Sequence, residues 1–183
     1  MADTLNDNEL LAQFKNEATK ERAFTAILKK YQEKLYWHIR RMVVEHEDAN
    51  DVLQNMFVKA WKGLENFRED SQLYTWLYRI ATNESLTFLE QQKRRSTISM
   101  SDEDTGMSNK LKADDNFDGN KAEWKLQMAV QKLPEKQKAV FNLRYYDEMP
   151  YNEMSKVLDT SEGALKASYH HAVKKIEEYI LNN

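Results

Sequence analysis

Residues 96–122, STISMSDEDTGMSNKLKADDNFDGNKA, interrupt an otherwise helical pattern and divide the chain in two. The stretch is rich in Ser, Asp, Asn and Gly, lacks an apolar stripe, and offers few large apolar side chains to a core. Such a composition buries too little surface to offset chain entropy, so a flexible linker is expected. Six acids (Asp102, Glu103, Asp104, Asp114, Asp115, Asp118) stand against three lysines (Lys110, Lys112, Lys121), so this segment carries −3, the net charge of the whole chain. Residues 1–95 hold 15 basic and 15 acidic groups, and residues 123–183 nine of each. Two neutral units, 1–95 and 123–183, joined by an acidic connection, 96–122, are therefore expected.

Both units read as all-α. The chain has only four Gly and two Pro, too little punctuation for a many-stranded sheet. After a short opening helix around Leu10, Leu11 and Phe14, apolar residues recur at Phe24, Ile27, Leu28, Tyr31, Leu35, Ile39, Met42 and Val43, one face of a long helix. A break is expected at Glu45-His46-Glu47, with Asp48 as N-cap of a helix carrying Val52, Leu53, Met56, Phe57, Ala60, Trp61 and Leu64 and stopping near Gly63. The polar loop 67–71 leads to a third helix with Trp76, Leu77, Ile80 and Ala81, running on to Phe88 and Leu89. In the second unit a helix with Trp124, Met128 and Val130 is broken at Leu133-Pro134, and Pro134 suits the first turn of the next helix.

The spacing that follows is that of a helix-turn-helix: eight residues, Tyr151–Leu158, then the turn Asp159-Thr160-Ser161, then a longer helix with Leu165, Tyr169, Val173, Ile176 and Ile180. Asp159 tolerates a left-handed backbone, Ser161 is placed to cap the second helix, and Gly163 would let a backbone, of DNA or of the first helix, come close. Lys166, Ser168, His170, His171, Lys174 and Lys175 lie on its exposed positions, able to meet phosphates and base edges. The same spacing suits a helical hairpin that packs on another protein.

The first unit offers two polar surfaces. One is Asp51, Gln54, Asn55, Lys59 and Lys62, equally readable as a solvated helix face. The other is Arg79, Asn83, Thr87 and Gln91, at steps of four opposite the apolar stripe of the third helix. Asn reads adenine and unpaired bases through its paired donor and acceptor. The aromatics Phe67, Tyr74, Trp76 and Tyr78 could stack on single-stranded bases, although Trp76 reads mainly as core.

Several classes are excluded. Without Cys there is no disulfide or thiolate chemistry, and His38, His46, His170 and His171 are not paired at metal-binding helical spacing. No Gly-rich phosphate loop or nucleophile elbow occurs, so neither an enzyme nor a cofactor is expected. Residues 1–11 carry Asp3, Asp7 and Glu9 and no apolar run, so they do not read as a signal peptide. No segment approaches the ~18 apolar residues of a membrane span. A pI of about 5.9 is unlike that of a protein that grips DNA unaided.

The stretch DANDVLQNMFVKAWKGLENFREDSQLYTWLYRIATNESLTFL (48–89) resembles the second conserved domain of extracytoplasmic-function sigma factors. LPEKQKAVFNLRYYDEMPYNEMSKVLDTSEGALKASYHHAVKKI (133–176) resembles their fourth. The two stand in the family's order, about three quarters of the chain, without the intervening domain of larger sigma factors. The resemblance implies promoter-specific initiation on a core RNA polymerase, whose large subunits supply the basic channel this chain lacks. It implies that Asp48, Asp51, Gln54 and Asn55 dock on the β′ coiled coil, with Asn55 where the family usually has Glu. Phe67, Asp70, Ser71, Arg79 and Asn83 would capture the non-template −10 strand. Lys166, Ala167, Ser168, His170, His171 and Lys174 would read the −35 element and the β flap would hold the second unit. Ala167, Ser168, His171 and Val173 stand where many relatives carry Ser, Arg, Arg and Arg. An anti-sigma partner and a cytoplasmic setting are implied as well. Two other readings stay open on the residues alone: a free-standing helix-turn-helix regulator, and a helical adaptor that binds only proteins.

Overall fold

The computed structural model describes residues 6–96 and 121–183, and among these it holds eight helices and no strand. In chain order they are α1 (Asp7–Phe14), α2 (Lys20–Val43), α3 (His46–Leu64), α4 (Leu73–Ser96), α5 (Lys121–Gln131), α6 (Glu135–Tyr145), α7 (Tyr151–Leu158) and α8 (Glu162–Asn182). The expected acidic linker falls on 97–120, outside the described residues, while Ser96 closes α4 and Ala122 belongs to α5.

Helix α2 is the axis of the first unit. Ala23, Ile27, Tyr31, Leu35, Ile39 and Met42 bury one long face against α1, α3 and α4. A reciprocal cap starts α1: Asn6 accepts from the Glu9 N–H at 2.9 Å, and its own N–H donates to Glu9 Oε2 at 2.9 Å. Tyr31 donates to Asp7 Oδ2 at 2.7 Å and Lys30 reaches Asp7 at 2.8 Å, which pins α1 to α2. Trp61 of α3 meets Phe14 and Phe24 edge-on at 5.4 and 5.0 Å. Gly63 has a packing role: a Cβ there would meet Trp76 Cζ2 at 3.0 Å, so its absence seats the indole of α4 against α3.

Three sequence expectations shift. The break after α2 lies at Val44 and Glu45 rather than at 45–47. Val44 has a positive φ of 74°, costly for a β-branched residue but held by burial of its side chain and by its N–H on Arg40 O at 2.9 Å. Helix α3 therefore begins at His46 with Glu45 as N-cap, and Asp48 sits inside the first turn, where its charge favours the helix dipole. Pro134 is the N-cap of α6, one residue before the expected first-turn position, because its extended ψ of 142° ends the preceding turn.

In the second unit, Ala129, Val130, Leu133, Phe141, Ala172 and Ile176 form a small core among α5, α6 and α8. Ala139, Val140, Leu143, Met149, Met154, Val157 and Leu165 are continuous with the core of the first unit. The two units are thus in contact, with α6 against α2 and α7 against α4.

That contact carries an unusual share of polar groups. His38, 0% exposed, places Nδ1 2.8 Å from Asp147 Oδ2 and Nε2 2.9 Å from Thr82 Oγ1. Because a carboxylate only accepts, Nδ1–H is the donor to Asp147. Tyr78 donates to Asp147 Oδ1 at 3.3 Å, with Arg41 at 3.5 Å. Thr75 donates to Glu153 Oε2 at 2.6 Å, and Lys156 holds the other oxygen at 3.1 Å. Gln131 donates to Arg41 O at 3.0 Å and accepts from Lys138 Nζ at 2.7 Å. Arg41 also lies 4.3 Å from the Tyr146 ring centre.

Burial lowers the Lys138 pKa to about 8, with Glu135 opposing the shift and Lys93 adding to it. A lysine whose folded pKa lies below its unfolded value of 10.5 penalises the fold most below pH 8, and the penalty fades as pH climbs between the two values. Parent and Lys138→Met melting temperatures, followed across that window, should therefore diverge in the parent's favour as pH rises. Parallel curves would show that no buried charge is being relieved.

Candidate nucleic-acid interface

Three solvent-facing surfaces emerge from the folding of α3, α4 and α8. On α3 the apolar stripe Val52, Met56, Ala60 and Leu64 turns inward, leaving Asp51, Gln54 and Asn55 exposed side by side. Asp48 is half-buried one turn earlier on the same face. Lys59 is drawn to the edge of this face by an ion pair with Glu84 of α4. Sequence reasoning missed Val58, which is 53% exposed in the middle of the surface. Its signal was legible, since it is the apolar residue of this helix that falls outside the inward stripe.

On α4 the row Arg79, Asn83, Thr87 and Gln91 is exposed along its whole length. Successive members are about 6 Å apart along the axis. The preceding loop is shaped by Glu69 at a positive φ of 59°, its carboxylate paired with Lys15 at 3.1 Å. A second ion pair joins Lys20 to Glu65 at the end of α3, and this bond to Glu65 holds the Lys20 pKa above its ordinary value. Asp70 is exposed and Ser71 partly so. Phe67 is half-buried, its ring 5.1 Å from that of Trp76. The expected group of base-stacking aromatics therefore divides. Phe67 and Tyr74 keep partial exposure, Trp76 fills the hole over Gly63, and Tyr78 is buried with its hydroxyl on Asp147. Burial and that carboxylate together push the Tyr78 pKa far up.

In the second unit the helix-turn-helix forms as its residues imply. Asp159 closes α7 in the left-handed region, at φ 48° and ψ 49°, and Ser161 caps α8 by accepting from the Ala164 N–H at 3.3 Å. Leu165, Ala172 and Ile176 face inward, which leaves Lys166, Ala167, His170, His171 and Lys174 exposed on one face, with Ser168 half-buried at its edge. The His170 and His171 rings are 6.0 Å apart. Gly163 has no neighbour within 4 Å, so it does not serve a close approach to α7; the space above it is open. Lys166 and Arg144 flank the Tyr151 ring at 5.6 and 5.3 Å, adding positive charge beside the turn.

Among the described residues no cluster of His, Cys, Asp or Glu could hold a metal ion, and no helix is long and apolar enough to cross a membrane. The surfaces instead present hydrogen-bonding and cationic groups on rigid helices, suited to macromolecular partners.

Comparison with known proteins agrees. Residues 27–95 match the Sigma-70 region 2 family and residues 123–176 the Sigma-70, region 4 family. The chain is 30% identical over 188 residues to the ECF RNA polymerase sigma-E factor of Escherichia coli K12, covering 98% of this chain and 97% of that protein. It is 30% identical over 166 residues to the RNA polymerase sigma-H factor of Pseudomonas aeruginosa, covering 86% of each. This chain belongs to the ECF RNA polymerase sigma factors. It is a transcription factor, not an enzyme, and it directs promoter-specific initiation by core RNA polymerase. The fold of this sigma factor also resembles CnrH, solved in complex with the cytosolic domain of CnrY, with TM-score 0.68, 21% identity and coverage of 97% and 98%. A like resemblance, at TM-score 0.68 and 18% identity over 86% and 96%, holds for the sigma factor RpoE of Bartonella quintana, solved with the anti-sigma factor NepR.

The sigma factor's turn yields a simple stability test. Ser161→Ala removes the acceptor for the Ala164 N–H and should lower unfolding free energy by about 1 kcal/mol in urea titration. An unchanged midpoint would show that water replaces the cap without loss.

Proposed function

We propose that the sigma factor divides its task among the three surfaces. Asp48, Asp51, Gln54 and Asn55 of α3 dock on the β′ coiled coil of core polymerase. Phe67, Asp70, Ser71, Arg79 and Asn83 capture the −10 strand, and Lys166, Ala167, Ser168, His170, His171 and Lys174 meet the −35 duplex, with the second unit held on the β flap. In this division residues 1–95 bind polymerase and melt the −10 region, 96–122 connect, and 123–183 read −35. The observation that carries the reading is the turn at Asp159 and Ser161. It sets α8 at helix-turn-helix geometry while leaving its polar face open to solvent, as entry into a major groove requires.

The chemistry of each surface supports its part. Flipping a base out of the stack costs a few kcal/mol, which a pocket must return. Asn83 supplies a donor and an acceptor for an unpaired base edge, and Arg79, one turn away, supplies charge for the adjoining phosphate. The reading face of α8 is weakly charged, with Ser168, His171 and Val173 where many relatives carry Arg. Duplex affinity then depends on polymerase, and binding by the free chain is weak and salt-sensitive. Core polymerase places the protein in the cytoplasm. The NepR complex of the Bartonella quintana relative supports an anti-sigma partner for this chain too.

Asn83→Ala should reduce permanganate reactivity of the −10 strand while leaving co-purification with core polymerase intact. Unchanged reactivity would remove Asn83 from the melting site. Asp51→Ala combined with Gln54→Ala should weaken holoenzyme assembly at least about tenfold, as loss of interface hot spots does. Equal retention of variant and parent on immobilised core enzyme would move the docking surface elsewhere.

A further inference from the structure

The exposed face of α8 carries two adjacent imidazoles, His170 and His171, with their rings 6.0 Å apart. Among the described residues neither ring makes a hydrogen bond or an ion pair. The other two histidines differ. His38 is engaged at both nitrogens by Asp147 and Thr82, and His46 meets the Tyr36 hydroxyl at 2.7 Å and the Asn50 amide at 3.0 Å. An exposed histidine is ordinary by itself, but the surroundings of this pair have a single sign. Lys166 precedes His170 by four residues, Lys174 follows it by four, and Lys175 follows His171 by four, so each is a neighbour on the helix surface. The acids of α8, Glu162, Glu177 and Glu178, lie about 9 Å or more along the axis from either histidine.

Helices α5, α6 and α7, which pack on α8, do not supply the missing anion among the described residues. Glu153 of α7 is buried on Thr75 with Lys156 against it, and Glu135 of α6 pairs with Lys93. The charge of Glu123 on α5 bears on Tyr146, and Asp147 before α7 is taken by His38. Glu148 and Asp159 are exposed in turns and make no ion pair with either imidazole. The cations nearest α8 reinforce its sign: Arg144 of α6 flanks the Tyr151 ring with Lys166, and Gln137 holds Lys175 at 3.0 Å. Lys138 is turned inward to Gln131, while Lys125, Lys132 and Lys136 are the remaining cations on this side of the second unit. In the free protein, two charged rings 6.0 Å apart among lysines repel one another. A DNA duplex reverses that field, with about one phosphate per 1.7 Å of axis. An imidazolium donates from both nitrogens, which suits phosphate oxygens and guanine N7 and O6, whereas a neutral ring must present an acceptor on one of them.

We propose that His170 and His171 take up protons as α8 enters the −35 duplex, so that a fall in pH strengthens promoter engagement at this element. The proposal rests on the assignment of α8 to the −35 duplex and adds the regulation of that site. When the bound state holds more protons than the free one, affinity rises as pH falls, by at most about tenfold per pH unit for each proton taken up. The gain is lost as pH climbs past the range in which the bound rings deprotonate. An imidazole ordinarily changes charge near pH ~6.5, which places the response inside the physiological range. A reading face built of Lys and Arg alone has no such response, because those side chains stay charged throughout it.

Holoenzyme assembled from the full chain and core polymerase is titrated, at about pH 8 and about pH 6, with a labelled duplex carrying the −35 element of a promoter recovered by run-off transcription. A duplex with that element scrambled corrects for the pH response of polymerase itself. The corrected affinity of the parent should rise at least about fivefold between the two conditions. His170→Gln with His171→Gln should abolish the rise and bind at both like the parent at the higher pH. His170→Arg with His171→Arg should abolish it by binding tightly at both. Both pairs are exposed, so neither substitution disturbs a core. Parallel rises in the parent and both variants overturn the proposal, as does a parent that shows none. If the parent shows none while the glutamine pair weakens binding equally in both conditions, α8 keeps its place in the groove and the proton linkage alone fails. If neither pair of substitutions changes binding to the −35 duplex in either condition, the assignment of α8 fails as well.

Discussion

Burial of α2 on two sides is the constraint from which the rest of the structure follows. Its apolar stripe from Ala23 to Met42 gathers α1, α3 and α4, and the adjoining line of His38 and Arg41 receives α6 and the turn at Asp147. An isolated helix of this kind would gain little from propensity alone, since packing of its faces supplies most helical stability in proteins. With both faces covered, α3 and α4 are held rigid, and their outward sides become fixed platforms. The exposed row on α4 and the polar face of α3 keep their spacing because the opposite sides of those helices are locked against α2.

The two faces of α2 differ in chemistry. The first is apolar and continuous, so separation of α3 or α4 would expose a core. The second is mixed: His38, Thr82, Thr75 and Tyr78 meet Asp147 and Glu153, all groups that water can serve. Burying a charged pair returns little net stability, while removing one partner is costly. The boundary between the units thus combines these polar pairs with apolar contact, since Ala139, Val140, Leu143, Met149, Met154, Val157 and Leu165 continue the core of the first unit.

Much of this was legible in the sequence because it depends on local rules. Spacing of three and four marked α2, α3 and α4, and the left-handed tolerance of Asp159 with the capping hydroxyl of Ser161 marked the helix-turn-helix. Cap positions were less legible. Asp48 looked like a cap, but Val44 takes a strained φ that begins α3 three residues earlier than expected, a tertiary choice rather than a local preference. The association of the units escaped notice for the same reason. His38 sits at an inward position of α2 between Leu35 and Met42, and a polar side chain there was the available sign of a buried partner. Its partner lies 109 residues away, beyond the reach of any periodicity argument. Tyr78 was read as a base-stacking aromatic because its hydroxyl gave no hint that Asp147 would claim it.

The central claim is that these two helical units work together on one promoter only when carried by core polymerase. Run-off transcription with purified core enzyme and fragmented genomic DNA tests it most directly. The account predicts discrete transcripts that appear only when this protein is added, with negligible affinity of the free protein for the same fragments. Tight binding to those fragments without polymerase, and no new transcript with it, would contradict the account.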